Sequence, residues 1–456
     1  MAMTDERDHV SDQAPAHLAG DARASGADLD RRSFFRVFSR EAVQTAITVV
    51  GAASAVRKGT TAAAVELLGL GIDPEAGADR LAAAMAGGIG GRSPYRLDRD
   101  RLLVLDQRRL PGEIIEAVCS SGAEVAGLIR EGAVGPGPVL GPLAAYAIAL
   151  AADRNVASRP FVRSATLRGT ANALRNARPD SAAIEVALAR VKAAWERARG
   201  EPADEAADTD AGAAIAAAVR AEADAIAMET MAGLGRLVEH GAGLLPQPAD
   251  RPLEVVTIGA TGPLSAGVIG TASGVMAAVI AAGRPIHAWV LEARPGRAGA
   301  RIGAAELKAM DVPATVIADG AAGWLFGDQG IDAVLVGADR IAANGDVANA
   351  AGTYPLAAMA ARHGVPVYVC ALRSTVSQKA ATGADLAVVM RGRHELLSMP
   401  GEPAAEGIDA RVPLGDVTPA DLITAYITDA GILHAPFPAA TAADPLPDSD
   451  SPLESG

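Results

Sequence analysis

From Glu254 to Leu433 the chain alternates short β-branched runs with helical ones, and this rhythm constrains the fold more than any other feature of its 456 residues. The apolar runs are Glu254–Gly259, Pro285–Leu291, Ala314–Ala318, Ala333–Gly337 and Val365–Ala371. Between them, Val268–Ala282, Ala304–Met310 and Tyr354–His363 carry helical spacing. Strands that are apolar without alternation are buried on both faces, which calls for helices on both sides of a mostly parallel sheet. The expected fold class is therefore α/β. It comprises a C-terminal doubly wound, mostly parallel Rossmann-like sheet over residues 251–434, preceded by a helical domain. In such sheets ligands bind outside the carboxyl ends of the strands.

The residues before this domain read less sharply. Residues 1–30 are polar and read as a disordered leader, and 31–98 as a helical extension of no readable chemistry. Within the extension, Arg31-Arg32 precedes an apolar run, Ala42–Val56, that contains Ala53-Ser54-Ala55. Paired Arg, an apolar stretch and small residues are the parts of a twin-arginine export signal. Arg40 and Glu41 directly before the run, and the long leader, weigh against export. Residues 99–250 read as mainly helical after a short strand at Leu102–Leu105. Ile184, Leu188, Val191 and Trp195 share one helix face, as do Ile215, Val219, Ala223 and Ile226, with the pattern resuming at Leu234, Leu237 and Val238. Residues 200–212 form an acidic insertion between these helices, and the Pro- and Asp-rich tail, 435–456, reads as disordered.

Charge and cysteine usage narrow the function. A formal net charge of −13 argues against nucleic acid as a main partner, since neutralising phosphates takes clustered Lys and Arg. An anionic small ligand remains compatible, because a few local Arg side chains can hold it. Two distant cysteines, Cys119 and Cys370, make no disulfide framework and suit a reducing compartment. The seven histidines form no ligand cluster, so no metal site is expected. No apolar run reaches the roughly 18–20 residues of a membrane span.

Strand-end residues are the candidates for chemistry: Gly259, Glu292 with Arg294, Asp319, Asp339 with Arg340, and Cys370. Asp339 leads, because it leaves a buried strand where desolvation raises a carboxyl pKa toward general-acid duty. The alternative is a structural Asp that pairs with Arg340 or caps the next helix. The loop Gly259-Ala260-Thr261-Gly262-Pro263-Leu264 offers backbone N–H groups to an anion. Arg178, before Pro179, is placed to clamp a phosphate, or is surface charge.

Taken in order, several motifs resemble the S-methyl-5-thioribose-1-phosphate isomerase family. They are Leu105-Asp106-Gln107 with Leu110-Pro111, Arg178-Pro179, and Glu292-x-Arg294-Pro295 with Gly299-Ala300-Arg301. The longest stretch runs from Val336 to Asn349 around Asp339, followed by Gly352-Thr353-Tyr354, and Asp416-Val417-Thr418-Pro419 matches the C-terminal end. The resemblance covers about Leu103 to Leu433. The same superfamily includes ribose-1,5-bisphosphate isomerases and the alpha, beta and delta subunits of the initiation factor 2B exchange complex. It implies an aldose–ketose isomerase of a sugar phosphate that uses no metal or other cofactor and forms a cytoplasmic homodimer. It also implies Asp339 as the catalytic residue, with Arg178, Asn349 and the loop at Gly259 binding substrate.

Four positions depart from the family pattern. The family's Cys, in Thr-His-Cys-Asn-x-Gly, falls on Gly259, and the Lys after the Asn falls on Ala350. The Gln before Gly-Ala-Arg falls on Ala298, and the Arg of the Arg-Gly-Ala-Pro-Ala-Ile-Gly loop falls on Gly135. These changes remove a thiol and two cations. They open a competing expectation: a sugar-phosphate- or nucleotide-sensing scaffold without catalysis. Cys370 is the sulfur available to replace the missing thiol, unless it is simply a buried core residue.

Overall fold

The computed structural model describes residues 93–437, apart from residues 99, 200–207, 268, 378, 400, 401 and 404–406. The leader, the paired arginines with their apolar run, most of the tail and the first part of the acidic segment lie outside the described residues.

The first unit opens on an antiparallel sheet of β1 (Tyr95–Asp98), β2 (Arg101–Leu105) and β3 (Glu116–Cys119). Only β2 carries an apolar run that sequence reading can find. β1 is exposed along Arg96, Leu97 and Asp98 and has no buried face to pattern it. The sheet thus begins at Tyr95, inside the segment read as extension. Four helices follow: α1 (Gly122–Arg130), α2 (Leu140–Arg154), α3 (Pro160–Ala177) and α4 (Ala182–Arg199). Ser121 caps α1 by accepting from the Glu124 N–H at 3.3 Å. In α2 every residue from Leu140 to Ala152 is buried, so it is the central helix around which the others pack.

A 37-residue helix, α5 (Asp208–Leu244), then joins the two units, and it includes the last residues of the acidic segment. Its Ile215, Val219, Ala223 and Ile226 belong to the core around α2. Leu234, Leu237 and Val238 belong to the core on one face of the large sheet. One helix therefore contributes to both cores, which fixes their relative position.

The second unit is built on seven strands: β4 (Leu253–Ile258), β5 (Ile286–Leu291), β6 (Ala314–Ile317), β7 (Ala333–Val336), β10 (Val367–Cys370), β12 (Ala425–Thr428) and β13 (Gly431–Leu433), in the order β13-β12-β10-β7-β4-β5-β6. All neighbours are parallel except the edge pair β12–β13. Val255 and Val334 lie in two cores, one on each face of the sheet, as continuous apolar strands require. Strand order reverses at β4: β5 and β6 continue to one side, while β7, β10 and β12 continue to the other. A reversal of this kind opens a crevice between the carboxyl ends of the two diverging strands. Beyond that end sits a small antiparallel sheet of β8 (Arg340–Ile341), β9 (Val347–Ala350) and β11 (Gly415–Thr418), ordered β11-β9-β8. The first residues of the expected tail are part of the domain. Phe437 packs edge-to-face on Tyr426, and its N–H donates to the Ala343 carbonyl at 3.0 Å.

Candidate active site

Gly259 follows β4 directly, and Asp339 follows β7 after Gly337-Ala338. Both line one cavity of about 180 Å³ at the strand-order reversal, together with Arg178 from the end of α3 and Asn349 from β9. The four candidate site residues are therefore brought together. Single-water sites need only about 10–15 Å³ on this measure, so the space admits a small molecule. The four departures, Gly135, Gly259, Ala298 and Ala350, all line the same cavity.

Asp339 carries the least committed carboxyl there. Its backbone is pinned, with the N–H donating to the Ala348 carbonyl at 2.9 Å. Its carboxylate accepts no hydrogen bond among the described residues, and its charged neighbour is Arg178 Nη2 at 3.9 Å. Burial pushes its pKa up to about 6. The Arg178 guanidinium pulls the other way, and the negative charge of Asp180 adds to the rise. The pairing of Asp339 with Arg340 is not made. Arg340 gives its guanidinium to Glu185, at 2.7 Å, and to the Asp180 carbonyl, and Lys379 bonds the other oxygen of Glu185 at 2.6 Å.

Arg178 is not surface charge. It is buried, with Nε and Nη2 donating to the two carboxyl oxygens of Asp180 at 2.9 and 2.7 Å. Burial opposes the charge on Arg178, but the paired bonds to Asp180 and the charge of Asp339 outweigh it and raise its pKa. Asp180 was not singled out from sequence, although it stands two residues after Arg178, close enough to fork the guanidinium. Asn349 Nδ2 donates to Thr353 Oγ1 at 3.1 Å, which leaves Asn349 Oδ1 without a partner among the described residues.

The loop after β4 is organised differently. Gly259 has φ +79°, and a Cβ there would meet only the Ala350 Cβ, at 3.7 Å, so the two altered positions adjoin each other. The anion cradle expected of this loop is partly filled from behind. Glu306, in helix α6 (Ala304–Ala309) and fully buried, accepts from the Leu264 N–H at 2.6 Å. Its other oxygen has no partner among the described residues. Burial raises its pKa from the ordinary 4.5 to about 8, against the pull of the Leu264 and Gly262 amides. A Cβ at Gly262 would stand 2.5 Å from this carboxyl, so the Glu306 side chain would have to shift to admit one. Gln107 bridges two loops of the cavity wall: its Oε1 accepts from the Gly135 N–H and its Nε2 donates to the Leu264 carbonyl, both at 2.9 Å. Asp416 accepts from the Gly352 and Tyr354 N–H groups, at 2.7 and 3.1 Å, which anchors the start of the following helix. Cys370 lines the cavity but is fully buried in the core, and burial pushes its thiol pKa strongly upward. It stays a thiol at neutral pH, which favours the core reading.

Comparison with known proteins agrees with this geometry. The model of the initiation factor 2 subunit family matches residues 140–435, well over half of the chain. The chain belongs to the initiation factor 2 subunit family. Within it, the chain is 39% identical to a methylthioribose-1-phosphate isomerase of Desulforudis audaxviator, covering 74% of this chain and 93% of the relative. It is 40% identical to the enzyme of that name from Anaeromyxobacter sp. (strain K), covering 75% and 94%. Among solved structures, the 5-methylthioribose 1-phosphate isomerase of Pyrococcus horikoshii OT3 superposes with a TM-score of 0.66 at 30% identity, covering 76% of this chain and 93% of that one. The eIF-2B delta subunit from A. fulgidus gives 0.62 at 29%, covering 75% and 96%. Members of the family thus carry both isomerase and initiation-factor names on one α/β fold. No described helix is long and apolar enough to cross a membrane.

Proposed function

We propose that this chain is an aldose–ketose isomerase of the methylthioribose-1-phosphate type, acting on a pentose phosphate or its methylthio relative. The observation that carries the reading is the Asp339 carboxyl: half-buried at the strand-order reversal, without a hydrogen-bond partner among the described residues, and beside Arg178. A sugar whose anomeric carbon bears a phosphoester cannot open its ring unaided. A carboxyl with a pKa of about 6 is populated both as acid and as base near neutral pH, so it can protonate the ring oxygen and later take a proton back. The charge of Arg178, 3.9 Å away, favours the ionised form of this carboxyl, and Asn349 offers its free oxygen to a sugar hydroxyl. Isomerisation is redox-neutral within one molecule, so the reading needs no cofactor.

The adjoining Gly259 and Ala350 supply no side chain to move hydrogen between C1 and C2. On this reading turnover of S-methyl-5-thioribose 1-phosphate is slow, because a well-placed acid–base partner contributes roughly 10²–10⁴-fold. The same pair favours the second reading, a sugar-phosphate sensor. A coupled assay for the ketose, run on wild type beside Asp339→Asn, separates the two. Slow turnover that the substitution abolishes supports the isomerase. No turnover in either protein, with sugar phosphates still raising Tm, supports the sensor. Turnover undiminished in Asp339→Asn removes Asp339 from the chemistry.

A homodimer formed through the α/β domain accompanies this proposal. Trp324 is 56% exposed and Tyr354 45% exposed on that domain, so aromatic as well as aliphatic surface is free to be covered. Light scattering that shows only monomer at micromolar concentration contradicts it.

A further inference from the structure

Two cationic side chains line the cavity, Arg178 and Arg294. They are not equivalent. Arg178 is spent on Asp180 through two bonds and lies 3.9 Å from Asp339. The Arg294 guanidinium has no hydrogen bond and no ion pair among the described residues. Its neighbour Arg297 bonds Glu292, at 3.1 Å, and does not line the cavity.

The backbone that presents Arg294 is fixed with unusual care for a loop. Asp319, at the end of β6, accepts from the Ala293 and Arg294 N–H groups through its two oxygens, at 2.8 Å each. Ala293 is held at φ +61° and Arg297 at φ +54°, a conformation that costs side-chain-bearing residues about 1–2 kcal/mol each. Backbone strain on both sides of a half-buried, unpaired cation is the pattern of a residue positioned for a ligand. The other charged side chains of the lining are carboxylates, Asp180, Asp339 and Asp416, which repel an anion, and Cys370 is a neutral thiol.

We propose that Arg294 is the ligand's anion-binding residue: it takes the phosphate group of the substrate, with Asp319 as the residue that positions it. The inference rests on the sugar-phosphate reading above. It assigns the phosphate to the β5 side of the cavity and the reacting carbons to the Asp339 side.

Calorimetric titration of the full chain tests it, with S-methyl-5-thioribose 1-phosphate, its dephosphorylated sugar and inorganic phosphate as probes. Arg294→Ala and Arg294→Gln are compared with wild type, and Arg297→Ala serves as a charge-matched control. Circular dichroism confirms that each variant is folded. Loss of a charge-assisted contact should weaken the phosphorylated sugar and inorganic phosphate by about tenfold to a hundredfold. The dephosphorylated sugar should bind all four proteins alike, and Arg297→Ala should match wild type. Equal affinity of wild type and the Arg294 variants for the phosphates overturns the inference while leaving the isomerase reading intact. Equal weakening of the dephosphorylated sugar overturns it too, since the effect is then structural. Arg294-dependent binding of inorganic phosphate without binding of the sugar phosphate keeps Arg294 as an anion-binding residue but overturns its assignment to the sugar's phosphate, together with the reading. Binding of neither phosphate by wild type removes both.

Discussion

Two loops meet across the cavity, one after β4 and one after β7, and they are built on opposite plans. The β7 loop offers side chains: Asp339 with its carboxyl uncommitted, backed by Arg178 and Asp180 from the helical unit. The β4 loop offers backbone. Gly259 has no side chain, and Gly262 lies against the buried Glu306. Thr261 spends its hydroxyl on Ser273 at 2.7 Å. Position at a strand end is common to both loops. What separates them is whether a charged group is left without a partner in a space a ligand can enter.

The contrast predicts opposite phenotypes on the two sides. The largest effect belongs to Asp339→Asn, with kcat falling by roughly 10²–10⁴-fold while the melting temperature changes little. Next comes Gly262→Ala. Its new Cβ is forced to 2.5 Å from the Glu306 carboxyl, and overpacking of this kind costs about 1–3 kcal/mol. Thermal denaturation should register it clearly. An Asp339 variant that melts early but turns over normally, or a Gly262 variant that melts as wild type, breaks the comparison.

Glu306 sharpens it through pH. Its folded pKa of about 8 lies above the ordinary 4.5, so the folded chain keeps a proton that the unfolded chain has released. Unfolding then releases a proton, and this group's contribution makes stability fall as pH rises from about 4.5 to about 8. Glu306→Gln resembles the protonated form and should flatten that part of the profile, read as Tm against pH. An unchanged slope in the variant contradicts the assignment.

The smallest effect is expected from Gly259→Cys alone. There is room for a Cβ, but φ +79° penalises one, by about 1–2 kcal/mol. Paired with Ala350→Lys, the gain in ketose formation should exceed the sum of the single changes, because groups that act on one substrate together are strongly non-additive.

The two loops were unequally legible in sequence, and the reason is physical. Apolar runs such as Ala333–Gly337 can hardly be anything but buried strands, so the sheet and the strand-end position of Asp339 follow from pattern alone. The strand Ala425–Thr428 is not among the apolar runs read from the sequence. Partner choice is harder. Asp339 is adjacent to Arg340 in sequence, yet Arg340 turns to Glu185 and the nearby cation is Arg178, from another unit. Glu306 reads as an ordinary charged residue of a short helix. Its burial depends on Gly262 pressing against it from a loop more than forty residues away, and sequence spacing does not show that. Arg294 is visible as a strand-end residue, but its lack of a partner among the described residues is a property of the packed molecule.

The isomerase reading requires that the Asp339 carboxyl be held, uncommitted, at a pKa suited to proton transfer. Carbon-13 NMR titration of the carboxyl groups, with the Asp339 signal assigned by its absence in Asp339→Asn, measures this without relying on turnover. The expected midpoint is about 6, raised by burial against the pull of Arg178. A midpoint at or below the ordinary 3.8 would mean that Arg178 controls the group as a plain ion pair, and the claim would fail.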